Sequence, residues 1–214
     1  IGFSAKKTMI IAQQLYEGID IKGQGTVGLI TYIRTDSVRL SSEAINYAKK
    51  YIVDEFGEKY SSGGRQFKKG KNKDAQDAHE AIRPTSVFRS PEAIKSSLSK
   101  DQYKLYSLIW KRFVASQMKQ ALYDTLSVKL SSSNYIFKSR GSRIKFDGFL
   151  KVYNIKNKDK DINIPSLDEG NLVKQVKFDP KQHFTKPPAR YTEASLVKTL
   201  EELGIGRPST YAPT

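Results

Sequence analysis

The stretch Thr125–Ser131, T-L-S-V-K-L-S, decides the fold class. Its apolar residues Leu126, Val128 and Leu130 stand at every second position, which is the period of a strand with one covered face. Asn134–Ser139, N-Y-I-F-K-S, repeats the strand character after a turn. Arg143–Tyr153, R-I-K-F-D-G-F-L-K-V-Y, predicts another strand region interrupted at Asp147-Gly148, and Asn171–Phe178, N-L-V-K-Q-V-K-F, predicts one more. The span 122–178 therefore reads as an antiparallel β region, with the polar N-K-D-K-D as a loop.

Upstream of this stretch the period changes to that of helices. Ser4 is placed to cap a helix running to about Glu17, with Met9, Ile10 and Leu15 as apolar surface and Gly18 at its end. A glycine-rich connection, Ile21–Gly28, leads to a strand-like Leu29–Ile33. A second helix starts at Ser41, repeats Ile45, Ala48, Ile52 and Phe56 at helical spacing, and closes at Gly57. The basic stretch Ser61–Lys73 reads as a loop. A helix is expected through Asp74–Ile82, stopped by Pro84, and a helix start at Ser90-Pro91-Glu92. Ser99 and Gln102 form a capping-box pattern before a longer helix carrying Leu105, Leu108, Ile109, Phe113 and Met118. After Pro187-Pro188 a final helix is expected between Thr192 and Gly204. The prediction is an α+β, multidomain chain: a mainly helical part at 1–120, a β-rich part at 121–185 and the start of a second helical part at 186–214.

Composition narrows the function classes. The 214 residues contain no cysteine and two histidines, which excludes a disulfide framework, a cysteine-based zinc site and a His-rich metal cluster. No apolar run approaches the ~20 residues that span a bilayer, and the N-terminus lacks a signal-peptide pattern. It also lacks a starting methionine, so a piece of a longer, intracellular chain is expected. Thirty-seven Lys and Arg against 22 Asp and Glu give a net charge of +15. Such a balance favours a polyanionic partner, because these side chains replace the counterions condensed on nucleic acid.

Three segments carry chemistry. In Gly28–Ser37, G-L-I-T-Y-I-R-T-D-S, Arg34 follows Tyr32 at i+2 and shares its face if the backbone is extended. A guanidinium there could clamp a phosphate and favour phenolate character. Spacing alone is equally satisfied by an ordinary strand tyrosine, the more common case. His79, in H-E-A-I-R-P-T, reads as a phosphate contact or proton donor, or as a plain surface residue. Arg207, Ser209 and Thr210 follow a helix in a turn that either binds phosphate or binds nothing. By these features alone, a non-catalytic basic nucleic-acid-binding module remains an alternative.

Taken together and in this order, G-F-S-A-K-K-T-M-I-I-A-Q-Q-L-Y-E-G, G-L-I-T-Y-I-R-T-D-S, H-E-A-I-R-P-T and P-P-A-R-Y-T-E-A-S-L-V-K-T-L-E-E-L-G-I-G-R-P-S-T-Y-A resemble the type IA DNA topoisomerases, in particular the bacterial topoisomerase I group. The resemblance implies that Tyr32 attacks a single-stranded DNA phosphodiester and holds the 5′ phosphate, with Arg34 positioning that phosphate. It implies orienting roles for Thr31, Thr35 and Asp36, a DNA contact at the cleavage site for His79, and polar lining by Gln13 and Glu17. Arg207 and Thr210 correspond to a segment contacting backbone phosphate. The implied enzyme relaxes negatively supercoiled DNA without ATP, as a monomer in the bacterial cytoplasm, associated with the nucleoid.

The family's acidic, magnesium-binding Toprim domain and its zinc ribbons have no counterpart here. The D-x-D spacing occurs only at Asp159–Asp161, in a lysine-rich loop, and reads as surface charge. The chain therefore resembles the central part of the enzyme: a helical gate at 1–120, a β-rich arch or hinge at 121–185, and the first piece of a DNA-binding base. No metal site is expected within it, Mg2+ belonging to the full-length enzyme. The isolated chain is expected to be inactive without the other domains.

Overall fold

The computed structural model describes residues 1–35, 37–67, 79–153, 167–174, 176–177, 179–207 and 210. Helix α1 (Ala5–Glu17) begins where the Ser4 hydroxyl accepts the Lys7 amide at 3.2 Å, and α2 (Ser42–Phe56) where Ser41 accepts Ala44 at 3.2 Å. Helix α3 (Lys100–Gln117) carries the expected capping box: the Ser99 hydroxyl accepts the Gln102 amide, and the Gln102 side chain accepts the Ser99 amide at 2.9 Å. Between α1 and α2 lies a short antiparallel ribbon of β1 (Ile19–Ile21) and β2 (Gly25–Val27). The core fills the space among these helices with Leu15, Leu29, Ile30, Ile52, Tyr106 and Met118. Two buried polar tips are satisfied: Tyr106 donates to the Arg89 carbonyl at 2.7 Å, and the Trp110 indole donates to Val87 at 2.8 Å.

On α1 the buried side is Ile11, Ala12 and Leu15, whereas Met9 and Ile10 are exposed. Leu15 therefore packs as expected, and Met9 instead lines an open apolar groove with Ile33, Val38, Leu108 and Ile109. The described residues between 57 and 99 are largely irregular, with single 3₁₀ turns at Glu58–Tyr60 and Lys95–Ser97. The helix expected from Ser90-Pro91-Glu92 thus shortens to turns.

The T-L-S-V-K-L-S stretch lies in β3 (Leu122–Ser132), paired antiparallel with β4 (Tyr135–Phe146) through a two-residue turn at Ser133-Asn134. The hairpin leaves the helical body at a defined set of contacts. The Tyr60 hydroxyl donates to Asp147 at 2.8 Å, the Tyr60 and Phe146 rings stand 5.0 Å apart, and the Phe149 amide donates to Lys119 at 2.9 Å. Gly148, at φ +47°, lets the chain turn where any Cβ would lie 2.6 Å from the Gln120 backbone.

The expected β region is smaller than its sequence pattern. The described residues of Asn171–Phe178 form no ladder, and Leu172 and Val176 are exposed. Alternation permits a strand, but only a partner edge can take up its backbone donors and acceptors. The last helix, α4 (Glu193–Glu202), is capped by Thr192 as expected, and its Glu193 accepts the Ala5 amide at the start of α1, at 2.7 Å. The mixed helix and antiparallel strand content is that of an α+β fold.

Candidate active site

The site grows from the way Gly28–Thr31 is pinned. A side chain at Gly28 would meet the Tyr16 carbonyl at 2.8 Å, so only glycine allows the chain to pass this close to the end of α1. The Leu29 amide then donates to Leu15 at 2.7 Å, and the Thr85 amide and hydroxyl return bonds to Leu29 and Gly28 at 3.0 and 2.7 Å. Ile30 and Pro84 form a single antiparallel bridge. Leu29–Ile33 does not continue as a ladder strand, because the amides that would extend the pairing are used elsewhere: Leu29 donates to the Leu15 carbonyl and Arg83 to the Thr31 hydroxyl.

Thr31 closes this arrangement with three short bonds. Its amide donates to the Arg83 carbonyl at 2.9 Å, its hydroxyl donates to Ala81 at 2.7 Å, and the same oxygen accepts the Arg83 amide at 3.0 Å. The expected helix over Asp74–Ile82 is not present in its described part. His79–Ile82 is irregular, its backbone taken up elsewhere: the Ser37 hydroxyl donates to His79 at 2.6 Å, and the Ala81 amide donates to Arg39 at 2.8 Å. Pro84 reinforces this by disfavouring helical geometry at Arg83.

Tyr32 emerges from this clamp with its side chain 50% exposed. Its ring lies 5.3 Å from that of Tyr16, steeply inclined at 62°, and 5.9 Å from the His79 ring at 30°. The Nδ1 atom of His79 is buried and has no hydrogen-bond partner among the described residues. Arg34 follows two residues on, half-buried. Behind His79, Glu80 and Arg83 form an ion pair at 2.6 Å, and Arg83 also donates to the Pro84 carbonyl at 3.0 Å. Burial pushes the Glu80 carboxyl up, but the Arg83 hydrogen bond and charge, with bonds from Ser41, outweigh it and hold the group below the usual carboxylate range.

The remaining expected residues are placed as follows. Gln13 donates to Glu17 at 2.6 Å on the helix that carries Tyr16. Thr35 lines the apolar groove beside Ile33. Asp36 and Asp159–Asp161 lie outside the described residues. Arg207 and Thr210 stand past α4 in a local turn, where the Arg207 amide donates to the Thr210 hydroxyl at 2.9 Å. Sequence reasoning missed Tyr16 and the Glu80–Arg83 pair. The pair was visible as an i,i+3 spacing in H-E-A-I-R, but Tyr16 had no local signal. Among the described residues no three His, Asp or Glu side chains gather in a way that could hold a metal.

A family model described as DNA topoisomerase matches residues 1–214. Full-length topoisomerase I from Thermotoga maritima, solved in a monoclinic crystal form, is 45% identical over 100% of this chain with a TM-score of 0.86. The chain covers 34% of that relative, so it spans about a third of the length of the protein it matches. Among the described residues no helix is long and apolar enough to cross a membrane.

Proposed function

The chain belongs to the DNA topoisomerase family, and on that premise we propose that Tyr32 is the nucleophile of a type IA reaction that relaxes negatively supercoiled DNA. The observation that supports this reading most is the half-exposed Tyr32 phenol, flanked by the His79 ring and fixed through the Thr31 clamp. Tyr32 Oη attacks the phosphorus of a single-stranded segment and gives up its proton to water. The bond from phosphorus to the 3′ oxygen breaks, that oxygen takes a proton, and the 5′ phosphate stays on Tyr32. Religation runs the same exchange backwards, so the phosphoester count is conserved and ATP is not needed.

Arg34 neutralises charge building on the phosphate, and His79 contacts the strand beside it. Thr31 positions the tyrosine, while Thr35, Asp36, Gln13 and Glu17 surround the strand, and Arg207 and Thr210 hold backbone phosphate further along. Residues 1–120 form the gate, 121–185 the arch, and 186–214 begin the base. The acid that protonates the 3′ oxygen, and any magnesium, come from parts of a full-length, monomeric, cytoplasmic and nucleoid-associated protein beyond these residues. The isolated chain is then inactive.

The test is to denature a reaction of the full-length protein with single-stranded DNA and map the covalent adduct. A 5′ phosphate on Tyr32 is expected; an adduct on any other residue overturns the assignment.

A further inference from the structure

The register of the hairpin places Lys129 directly opposite Lys138. Arg140, paired with Ser127, follows at i+2 from Lys138 and so shares that face. All three cations are exposed. Opposed like charges weaken a two-stranded ladder, and a hairpin has little stability to spare. The charge is not compensated from within. Asp124 is the hairpin's sole carboxylate, on the other face, and it already holds Arg143 at 3.4 Å and Lys145 at 3.7 Å. It lies five residues from Lys129, roughly 17 Å along the strand at ~3.4 Å per residue, beyond a Debye length of about 8–10 Å. Among the described residues Lys129, Lys138 and Arg140 have no ion-pair partner.

We propose that this face binds the sugar–phosphate backbone of DNA, an inference that rests on the reading of the protein as DNA-handling and adds a contact surface separate from the Tyr32 residues. Two lysines and an arginine meet phosphate oxygens, and the hydroxyls of Ser127, Thr125 and Ser142 on the same face supply further donors. The Lys129–Lys138, Ser127–Arg140 and Thr125–Ser142 pairs hold no aromatic residue, and the nearest ring on this face, Tyr123 opposite Ile144, lies at the far end of the strand from Lys129, so the cations themselves meet phosphate. A like-charge pair kept at some expense to the ladder is the trade expected where a surface serves binding.

The experiment measures salt dependence of binding for the full-length protein, with a single-stranded oligonucleotide and with a duplex of the same sequence. Replacing both lysines (Lys129→Gln with Lys138→Gln) should reduce the slope of log K against log salt by about 1.4 for the single strand or about 1.8 for the duplex, two contacts at ~0.7 or ~0.9 each. The form whose slope falls is the one this face holds. A second variant, Lys129→Glu, restores a favourable cross-strand pair with Lys138. It should raise hydrogen-exchange protection of the hairpin amides while weakening DNA binding, whereas a purely structural role would move both in the same direction. Unchanged slopes for both DNA forms overturn the proposal while leaving the Tyr32 reading intact. Wild-type protein that shows no salt-dependent DNA binding at all overturns the underlying reading as well.

Discussion

Thr31 and Arg83 hold each other in both directions: the Thr31 amide donates to the Arg83 carbonyl at 2.9 Å, and the Arg83 amide donates to the Thr31 hydroxyl at 3.0 Å. Because Tyr32 is the next residue, this pair sets where the phenol begins. Thr31→Val keeps the shape and β-branching but leaves the Arg83 amide without its acceptor, a cost of about 1–3 kcal/mol. Thr31→Ser should retain most of the stability. Urea unfolding of the two variants checks this, and equal stability of Thr31→Val and wild type would remove the clamp from the account.

Tyr16 meets Tyr32 through its ring, at 5.3 Å. Such pairs contribute about 0.5–1.5 kcal/mol beyond area burial, so Tyr16→Leu should slow adduct formation by roughly 2–12-fold. Tyr16→Phe should leave the rate near wild type, since the contact needs the ring and not the hydroxyl. A loss in Tyr16→Phe equal to that in Tyr16→Leu would transfer the role from ring to hydroxyl.

The Glu80–Arg83 pair makes stability pH-dependent. Glu80 ionises more readily in the folded chain than in the unfolded one. Its contribution is therefore complete above the ordinary carboxylate range and is lost as pH falls through the lowered folded value. Unfolding free energy measured from about pH 6 to about pH 3 should fall less steeply in Glu80→Gln than in wild type. Parallel curves would mean the pair carries no net coupling.

Gly148 joins the hairpin to the helical body at φ +47°, against the Gln120 carbonyl. Gly148→Ala adds both backbone strain and a 2.6 Å contact. A destabilisation above about 1 kcal/mol is expected, seen as a lower thermal midpoint. An unchanged midpoint would show that this junction adjusts freely.

Local signals in the sequence reached the elements that local physics determines. Ser4, Ser41, Ser99 and Thr192 all cap helices as their spacing predicts, and the alternation in Thr125–Ser131 finds its partner strand across a two-residue turn. The failures are non-local. His79–Ile82 has a helical composition, but Thr31, Ser37 and Arg39 claim its backbone from about 40 to 50 residues away in sequence. Asn171–Phe178 alternates correctly and yet meets no sheet edge in its described residues. Spacing offered Tyr32 and Arg34 only as one option, and the preference for them came from four motifs in a family's order. Tyr16 stands within one of those motifs with no local signal of its own, because its contact with Tyr32 depends on Gly28 bringing the chain back against the end of α1.

The central claim is tested most directly by Tyr32→Phe in the full-length protein, a change that keeps the ring between Tyr16 and His79 and removes only the oxygen. Covalent DNA adducts surviving denaturation should disappear, while non-covalent binding to single-stranded DNA stays within a few-fold of wild type. Adducts forming at the wild-type level in Tyr32→Phe would contradict the account.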